Sequence, residues 1–343
     1  MAQAAYPAMN APWLESQWST ITRWHVLLWP LSLLFGFAVA FRRLLYRWRI
    51  IHSDAVPVPV IVVGNITVGG TGKTPAVVWI ADFLRRRGYR PGVISRGYGR
   101  RSQATLEVTE NSDPLEVGDE PLLLARRTGC PIVVGADRVL AARGLLRRHP
   151  ECDVLLSDDG LQHYALRRDM EIAVVDAQRY YGNRLLLPAG PLRERLGRLE
   201  SVDAVLLNGD GQPTAPNQFR MRLTGEVFYN VGRPELRVGV SRFQGKAVHA
   251  MAGIGNPQRF FDDLRALGLV FTAHAFPDHY VYTPADLNLP RADAIIMTEK
   301  DAVKCAAFAD PKCWALAVDA DIDPALEFKL LDTIRKHHGR KAA

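Results

Sequence analysis

The sequence predicts an α/β fold, and three features carry that prediction. An apolar strand at Val60–Val63 runs into a glycine-rich loop and then a helical stretch at Pro75–Arg87. Beyond it, apolar strands keep alternating with helices, the pattern of a parallel sheet covered on its faces. Ahead of it, a mostly apolar run from Trp24 to Phe41 leads into Arg42, Arg43, Arg47 and Arg49. The expected architecture is therefore α/β, with a P-loop NTPase-like parallel sheet core, a second, smaller α/β domain and an N-terminal membrane-associated helix.

Residues 11–50 are assigned to that helix. The apolar run approaches the roughly 20 residues a membrane span needs, but it also holds His25, Pro30 and Gly36. A short span, a monotopic helix lying in the membrane interface and a buried core helix all fit. Arginines beside Trp and Leu favour the interfacial helix, and no small-residue cleavage site follows that would mark a signal peptide. Pro57 and Pro59 end the segment.

Residues 51–215 are expected to form the P-loop core. RPGVISRGYG supplies its second strand, Pro121–Arg127 a helix, CPIVVGA a strand and Arg138–Arg148 another helix. CDVLLSDDG, EIAVVDA and DAVLLNG read as three more buried strands. Residues 216–245, with Pro216, Pro234 and alternating runs such as FRMRL, read as a connector with hairpin character. Residues 246–335 start a C-terminal α/β domain. KAVHAMAGIG is strand and loop, PQRFFDDLRALG an amphipathic helix, ADAIIMTEKDAVK strand and helix start, and WALAVDA a final strand.

Composition sets the outer bounds. A chain of 343 residues, 48% hydrophobic and 23% charged, is globular and long enough for about two domains. Its net charge of +7 favours anionic partners such as phosphorylated substrates or an anionic membrane face. The excess of Arg over Lys suits phosphate, although a GC-rich genome would produce the same bias. No nucleic-acid-binding motif accompanies the charge, so nucleic acid is not an expected partner. Cys130, Cys152, Cys305 and Cys313 show neither C-x-x-C nor zinc spacing, and are expected to be reduced and structural.

The strongest chemical signal is Thr67-Val68-Gly69-Gly70-Thr71-Gly72-Lys73-Thr74, placed between a strand and a helix as a Walker A loop requires. Backbone N–H groups at such a loop and helix start can wrap phosphate oxygens. Lys73 would reach the β- and γ-phosphates, and the Thr74 hydroxyl would bind Mg²⁺. The usual motif has Gly where this chain has Thr67. Downstream, Val154–Asp158 is an apolar strand ending in Asp158 and Asp159, as a Mg²⁺-binding Walker B strand does. Asp-Gly is also a common turn pair.

Further short motifs follow in order: Ser95-Arg96-Gly97-Tyr98, Val117-Gly118-Asp119-Glu120-Pro121, Asp158-Asp159-Gly160-Leu161-Gln162-His163 and Leu187-Pro188-Ala189-Gly190-Pro191-Leu192-Arg193-Glu194. The C-terminal half adds Gly253-Ile254-Gly255-Asn256-Pro257, Asp278-His279 and Thr298-Glu299-Lys300-Asp301. This ordered set resembles the tetraacyldisaccharide 4'-kinase family, from about residue 11 to 335. The resemblance implies a kinase on the cytoplasmic face of the bacterial inner membrane. It would use ATP and Mg²⁺ to phosphorylate the 4'-hydroxyl of a tetraacylated glucosamine disaccharide 1-phosphate, giving lipid IVA. It makes Asp119 the group that assists deprotonation of the hydroxyl, with His279 as its partner and Lys73 as a further catalytic group. It places Asp158 and Asp159 with Thr74 at the metal, and Tyr98, Glu120, Gln162, His163, Arg193 and Glu194 at the substrate. Arg195 stands where the family pattern leads one to expect Pro.

From the residues alone, Asp119 could instead cap a helix, His279 could be an ordinary loop histidine, and GIGNP reads more readily as a turn than as a second phosphate loop. A membrane-associated P-loop ATPase or GTPase switch is the alternative enzyme, and a nucleotide-binding membrane adaptor the alternative without catalysis.

Overall fold

The computed structural model describes residue 18 and residues 20–342, so the start of the expected 11–50 segment lies outside the described residues. The first long element is α1 (Arg23–Arg47). After it come β1 (Val60–Gly64), α2 (Lys73–Arg86), β2 (Pro91–Ser95), β3 (Leu106–Val108), α3 (Asp119–Thr128), β4 (Ile132–Val134), α4 (Arg138–Arg148), β5 (Val154–Asp158), β6 (Met170–Asp176), β7 (Ala204–Asn208) and β8 (Gln218–Thr224). The C-terminal part comprises β9 (Val227–Asn230), β10 (Arg233–Gly239), β11 (Val248–Ala252), α5 (Pro257–Ala266), β12 (Thr272–Ala275), β13 (Ala294–Thr298), α6 (Glu299–Cys305), β14 (Cys313–Leu316), β15 (Asp319–Ile322) and α7 (Ala325–Ala342).

Two sheets result. The first has nine strands in the order β15-β8-β7-β6-β1-β5-β2-β4-β3. Its seven inner strands are parallel and both edge strands antiparallel. β1, β5 and β7 are buried on both faces and read as apolar runs, as covered parallel strands do, whereas β8, next to the edge, alternates buried and exposed residues. One face packs α2, α3 and the C-terminal helix through Ile80, Leu84, Leu122, Leu326 and Leu330. The other packs α4 through Val139 and Leu145. The second sheet, β10-β9-β14-β13-β11-β12, is parallel over its last four strands and carries its own core around Phe228, Phe260, Phe261 and Trp314.

The connector expected at 216–245 divides between the sheets. β8 pairs in parallel with β7, whereas β9 and β10 form the hairpin of the second sheet. The expected final strand WALAVDA also divides, into β14 of the second sheet and β15 of the first. α7 then buries Leu326, Leu330 and Ile334 in the first core, so the chain crosses between the sheets twice. All four cysteines are buried and free.

α1 reverses the usual pattern of a surface helix. Its buried residues are His25, Ser32 and Gly36, while Val26, Leu27, Trp29, Leu33, Leu34 and Phe37 are exposed. The inward residues are spaced seven and four apart and fall on one stripe of a 3.6-residue helix. That stripe lies against residues 183–201. The Ser32 hydroxyl donates to Leu186 O at 2.8 Å and accepts the Ala189 N–H at 3.0 Å. Arg43 donates to Ser201 Oγ at 2.8 Å. Only 17% of the most apolar window is buried, which excludes the core-helix reading.

At the crossing between the sheets, Arg127 of α3 donates to both oxygens of Glu299 on α6 at 2.7 and 2.6 Å, and also pairs with Asp319. Glu299 is 7% exposed and its carboxylate also accepts the Val318 N–H. We expect Arg127→Ala to lower unfolding stability by about 3–5 kcal/mol, because it strands a buried carboxylate. Arg87→Ala breaks an exposed pair with Glu327 and a stacking contact over the Phe83 ring, and should cost only about 1 kcal/mol. Denaturant unfolding of both variants checks the contrast.

Candidate active site

The phosphate loop leaves the C-terminal end of β1, at the centre of the first sheet. Gly69 and Gly72 adopt φ of 99° and 95°, open to glycine and strained for other residues. A Cβ on Gly72 would also lie 2.6 Å from Asn208 Nδ2. The loop's carbonyls are tied by side chains. Asn65 reaches Gly69 O at 3.3 Å, Arg179 reaches Gly70 O at 2.8 Å and Asn208 reaches Thr71 O at 2.9 Å. Loop carbonyls held in this way leave backbone amides available for an anion. Thr67 pairs with Leu192, and Val68 N–H donates to Pro191 O, so LPAGPLRE forms one wall of the loop.

β5 lies beside β1, with Asp158 in register with Val63. This puts the Walker B carboxylates next to the start of the phosphate loop. Asp158 is 1% exposed. Its Oδ2 accepts the Ser95 hydroxyl at 3.1 Å, while its buried Oδ1 has no hydrogen-bond partner. Burial, helped by the charges of Glu120 and Asp159, pushes this carboxyl up to about 7 against the pull of Lys73 and Arg138. Asp159 behaves oppositely. Burial would raise it, but Lys73 at 3.5 Å and Arg193 at 3.1 Å outweigh burial and hold it at about 2.

An orphaned carboxylate oxygen beside the phosphate loop suits a hard cation. Among the described residues no group of three or more His, Cys, Asp or Glu side chains gathers as a metal cage. That also fits Mg²⁺, which takes one or two carboxylates and fills its shell with water and substrate phosphate.

A second cluster forms where the two sheets meet. Asp119, the first residue of α3, is 4% exposed. Its Oδ1 accepts the Glu120 N–H at 3.0 Å, and its Oδ2 lies 3.1 Å from His279 Nδ1. The expected alternative of a helix cap does not hold, because Gly118 occupies the cap position. His279 sits at φ 58°, uncommon for a residue with a side chain, and its ring centroid is 5.1 Å from that of Tyr98. Burial would raise Asp119, but the His279 hydrogen bond and the Lys300 charge bring it down to about 2.

The remaining predicted substrate residues separate. Tyr98 is exposed and borders the cleft, and Arg193 faces Asp159. Glu120 faces Lys300 at 3.2 Å. Gln162 donates to Asn65 O at 3.2 Å and to Glu194 at 2.7 Å. Glu194 is 2% exposed, and its other oxygen takes the Tyr164 hydroxyl at 2.6 Å, so it supports Gln162 from behind. Burial, then the charges of Arg138, Arg96 and Arg42, push His163 down to about 4 and favour its neutral form.

The sequence reading gave no role to Asn65, Arg138, Arg179, Asn208 or Arg259. Arg259 of α5 donates to Asn208 Oδ1 at 3.1 Å, joining the second sheet's helix to the residue that holds Thr71. Nor did it foresee that GIGNP would face the phosphate loop. A Cβ added to Gly255 would lie 3.6 Å from Gly70 N. Gly253 is the tighter of that motif's two glycines, since a Cβ there would lie 2.7 Å from the Tyr282 hydroxyl and 3.0 Å from Asp301 Oδ1.

Over residues 24–335 the chain matches the family model described as tetraacyldisaccharide-1-P 4'-kinase. It is 54% identical over 319 residues to the tetraacyldisaccharide 4'-kinase of Methylobacillus flagellatus, covering 93% of this chain and 95% of that one. The corresponding kinase of Azoarcus sp. strain BH72 is 50% identical over 336 residues, covering 97% and 98%. Among solved structures, the "apo" form of LpxK from Aquifex aeolicus in complex with ATP aligns with a TM-score of 0.79 and 31% identity. That alignment covers 91% of this chain and 99% of the other.

Proposed function

The chain belongs to the tetraacyldisaccharide-1-P 4'-kinase family, and from that membership we propose how its residues carry out the reaction. It is an ATP-dependent kinase of lipid A biosynthesis that phosphorylates the 4'-hydroxyl of tetraacyldisaccharide 1-phosphate to give lipid IVA. The observation that carries the mechanistic reading is that two clusters approach each other across Gly255, where an added Cβ would lie 3.4 Å from Asp278 Oδ2 and 3.6 Å from Gly70 N. Lys73, Asp158 and Asp159 lie on the phosphate-loop side, and Asp119 with His279 on the other.

In this reading Thr67, Val68, Gly69, Gly70, Thr71, Gly72, Lys73 and Thr74 cradle the ATP phosphates. Lys73 leaves Asp159 to meet the β- and γ-phosphates, and Arg193 stays with Asp159. Thr74, Asp158 and Asp159 would hold Mg²⁺, which would supply positive charge to the transferring phosphoryl group. The 4'-hydroxyl gives its proton to the Asp119–His279 pair, whose side chains lie 3.1 Å apart. Tyr98, Glu120, Gln162 and His163 line the sugar side, with Glu194 holding Gln162 in place. The neutral His163 can then donate or accept a hydrogen bond without repelling nearby cations. Most of the acceleration comes from alignment and from charge stabilisation.

We further propose that α1 lies in the interface on the cytoplasmic face of the inner membrane, where ATP is available. Ahead of the helix Trp18 donates to Pro188 O at 3.1 Å, and along it the domain covers His25, Ser32 and Gly36 and holds Arg43 at Ser201. From residue 25 to residue 43 this is roughly 27 Å of helix. A helix flanked by its own domain over that length lies along the bilayer surface more readily than across it. Its exposed Trp, Leu and Phe side chains would enter the acyl boundary, and Arg42 and Arg47 would meet anionic headgroups.

Purified protein with γ-labelled ATP, Mg²⁺ and the tetraacyl disaccharide 1-phosphate tests the reaction. Label should appear on the lipid. ATP turnover without lipid labelling would favour a nucleotide switch. Lys73→Ala should keep the fold and lose on the order of 100-fold or more in turnover. Near wild-type turnover in a folded Lys73→Ala protein would contradict the phosphate-loop reading.

Asp119→Ala and His279→Ala should each lower kcat, and the double variant should lose less than the product of the two, because the pair acts together. Multiplicative losses in the double-mutant cycle would separate them. Removal of residues 1–47 should abolish flotation with anionic vesicles and weaken lipid phosphorylation. A truncated protein that still floats and keeps full activity would exclude the anchor.

A further inference from the structure

Lys300 has no place in the reading above, although it sits at the centre of the second cluster. It is the second residue of α6, whose first turn is fixed by Thr298. The Thr298 Oγ1 accepts the Asp301 N–H at 3.2 Å and donates to Asp301 Oδ2 at 2.6 Å. Asp301 also accepts the Gly253 N–H at 3.0 Å, so the same turn anchors the GIGNP loop. From this fixed start the Lys300 side chain enters the cleft with 16% of its surface exposed. Its ammonium lies 3.2 Å from Glu120 Oε1, 3.3 Å from Asp278 Oδ1 and 3.8 Å from Asp119 Oδ2.

Three carboxylates so close together repel one another, and burial adds to the cost of keeping each ionised. The groups facing Asp119 are Glu120 from its own helix, Asp278 and His279 from the 277–280 loop, and Lys300 and Lys304 from α6. Lys304 is engaged by Asp301 at 2.8 Å. His279 is the member that must accept or relay a proton, so its charge changes during the reaction. Lys300 is the cation whose charge stays constant. Burial would lower the Lys300 ammonium, but Glu120, Asp119 and Asp278 outweigh burial and raise it, so it remains protonated.

We propose that Lys300 is a positioning residue of the transfer reaction, binding Asp119 and Glu120 of the first sheet's α3 to Asp278 of the second lobe so that Asp119 stays ionised and turned toward His279. The proposal rests on the Asp119–His279 pair being the proton acceptor. It makes Lys300 both the electrostatic support of that pair and a tie between the two sides of the cleft.

Removing the ammonium should let the Asp119 carboxyl rise. Asp119 would then be protonated more often as the pH falls, and the loss of kcat should be largest at low pH and shrink as pH rises. The test measures kcat and the KM for ATP across about pH 6 to about pH 8 in wild type, Lys300→Met, Lys300→Gln and Lys300→Arg. Lys300→Met should lose kcat most at the low end, with a smaller change in the KM for ATP. The ratio to wild type should climb with pH, and Lys300→Arg should restore much of the loss. Lys300→Gln, which keeps a hydrogen-bond donor without the charge, should follow Lys300→Met and replaces it should that variant fail to fold. A loss of the same size at every pH, or one that Lys300→Arg does not relieve, would overturn the proposal, as would unchanged kcat. Asp119→Asn assayed alongside separates the two levels. Its near wild-type turnover would remove the Asp119 reading itself, whereas an inactive Asp119→Asn with a pH-independent Lys300 effect removes only Lys300.

Discussion

A carboxylate as deeply buried as Asp119 keeps its charge only with cationic or hydrogen-bond-donating partners close by. The Glu120 N–H of its own helix supplies one, but the charged and ring partners, Lys300 and His279, come from the side of the second sheet. The site is therefore a property of the interface between the sheets. Each crossing of the chain between sheets is short, and the buried pair of Arg127 with Glu299 stands beside one of them. Other contacts from the second sheet reach the phosphate loop itself. GIGNP faces Gly70, and Arg259 reaches Asn208, which holds Thr71. Moving the two sheets apart would thus loosen the glycine-rich loop and remove His279 and Lys300 from Asp119 together.

The opposite wall of the phosphate loop leads toward the apolar helix α1. Arg193 neutralises Asp159, and its backbone N–H donates to Ile66 O at 2.7 Å. A few residues earlier, Leu186 and Ala189 are held by Ser32 of α1. One loop therefore joins the helix that carries the apolar surface to the residues proposed to meet ATP. That continuity suits an enzyme whose acceptor hydroxyl belongs to a lipid headgroup and whose donor is dissolved in the cytoplasm.

Much of the first sheet was legible because its signals are local. β1, the glycine loop and α2 lie where periodicity and Gly-Lys-Thr place them, and α4 spans the residues expected. The division of 216–245 was hidden because β8 and β9 have similar alternation and only Gly225 and Glu226 lie between them. β14 and β15 read as one apolar run for the same reason. The orientation of α1 was recoverable in principle from the stripe of His25, Ser32 and Gly36, but hydrophobicity alone does not say which face meets protein. Residue order could not pair Asp119 with a histidine 160 positions away. The motif set suggested that pair, while Lys300 stayed unassigned because a lysine near a helix start has many ordinary uses.

The central claim is that the acceptor hydroxyl is activated where the two sheets meet, opposite the phosphate loop. A structure with a non-hydrolysable ATP analogue and tetraacyldisaccharide 1-phosphate bound together measures this directly. The account predicts the 4'-oxygen within hydrogen-bond reach of the Asp119 carboxylate, about 2.6–3.2 Å, and in line with the γ-phosphorus. A 4'-oxygen seated elsewhere in the closed cleft, with Asp119 and His279 still paired and facing no substrate atom, would contradict it.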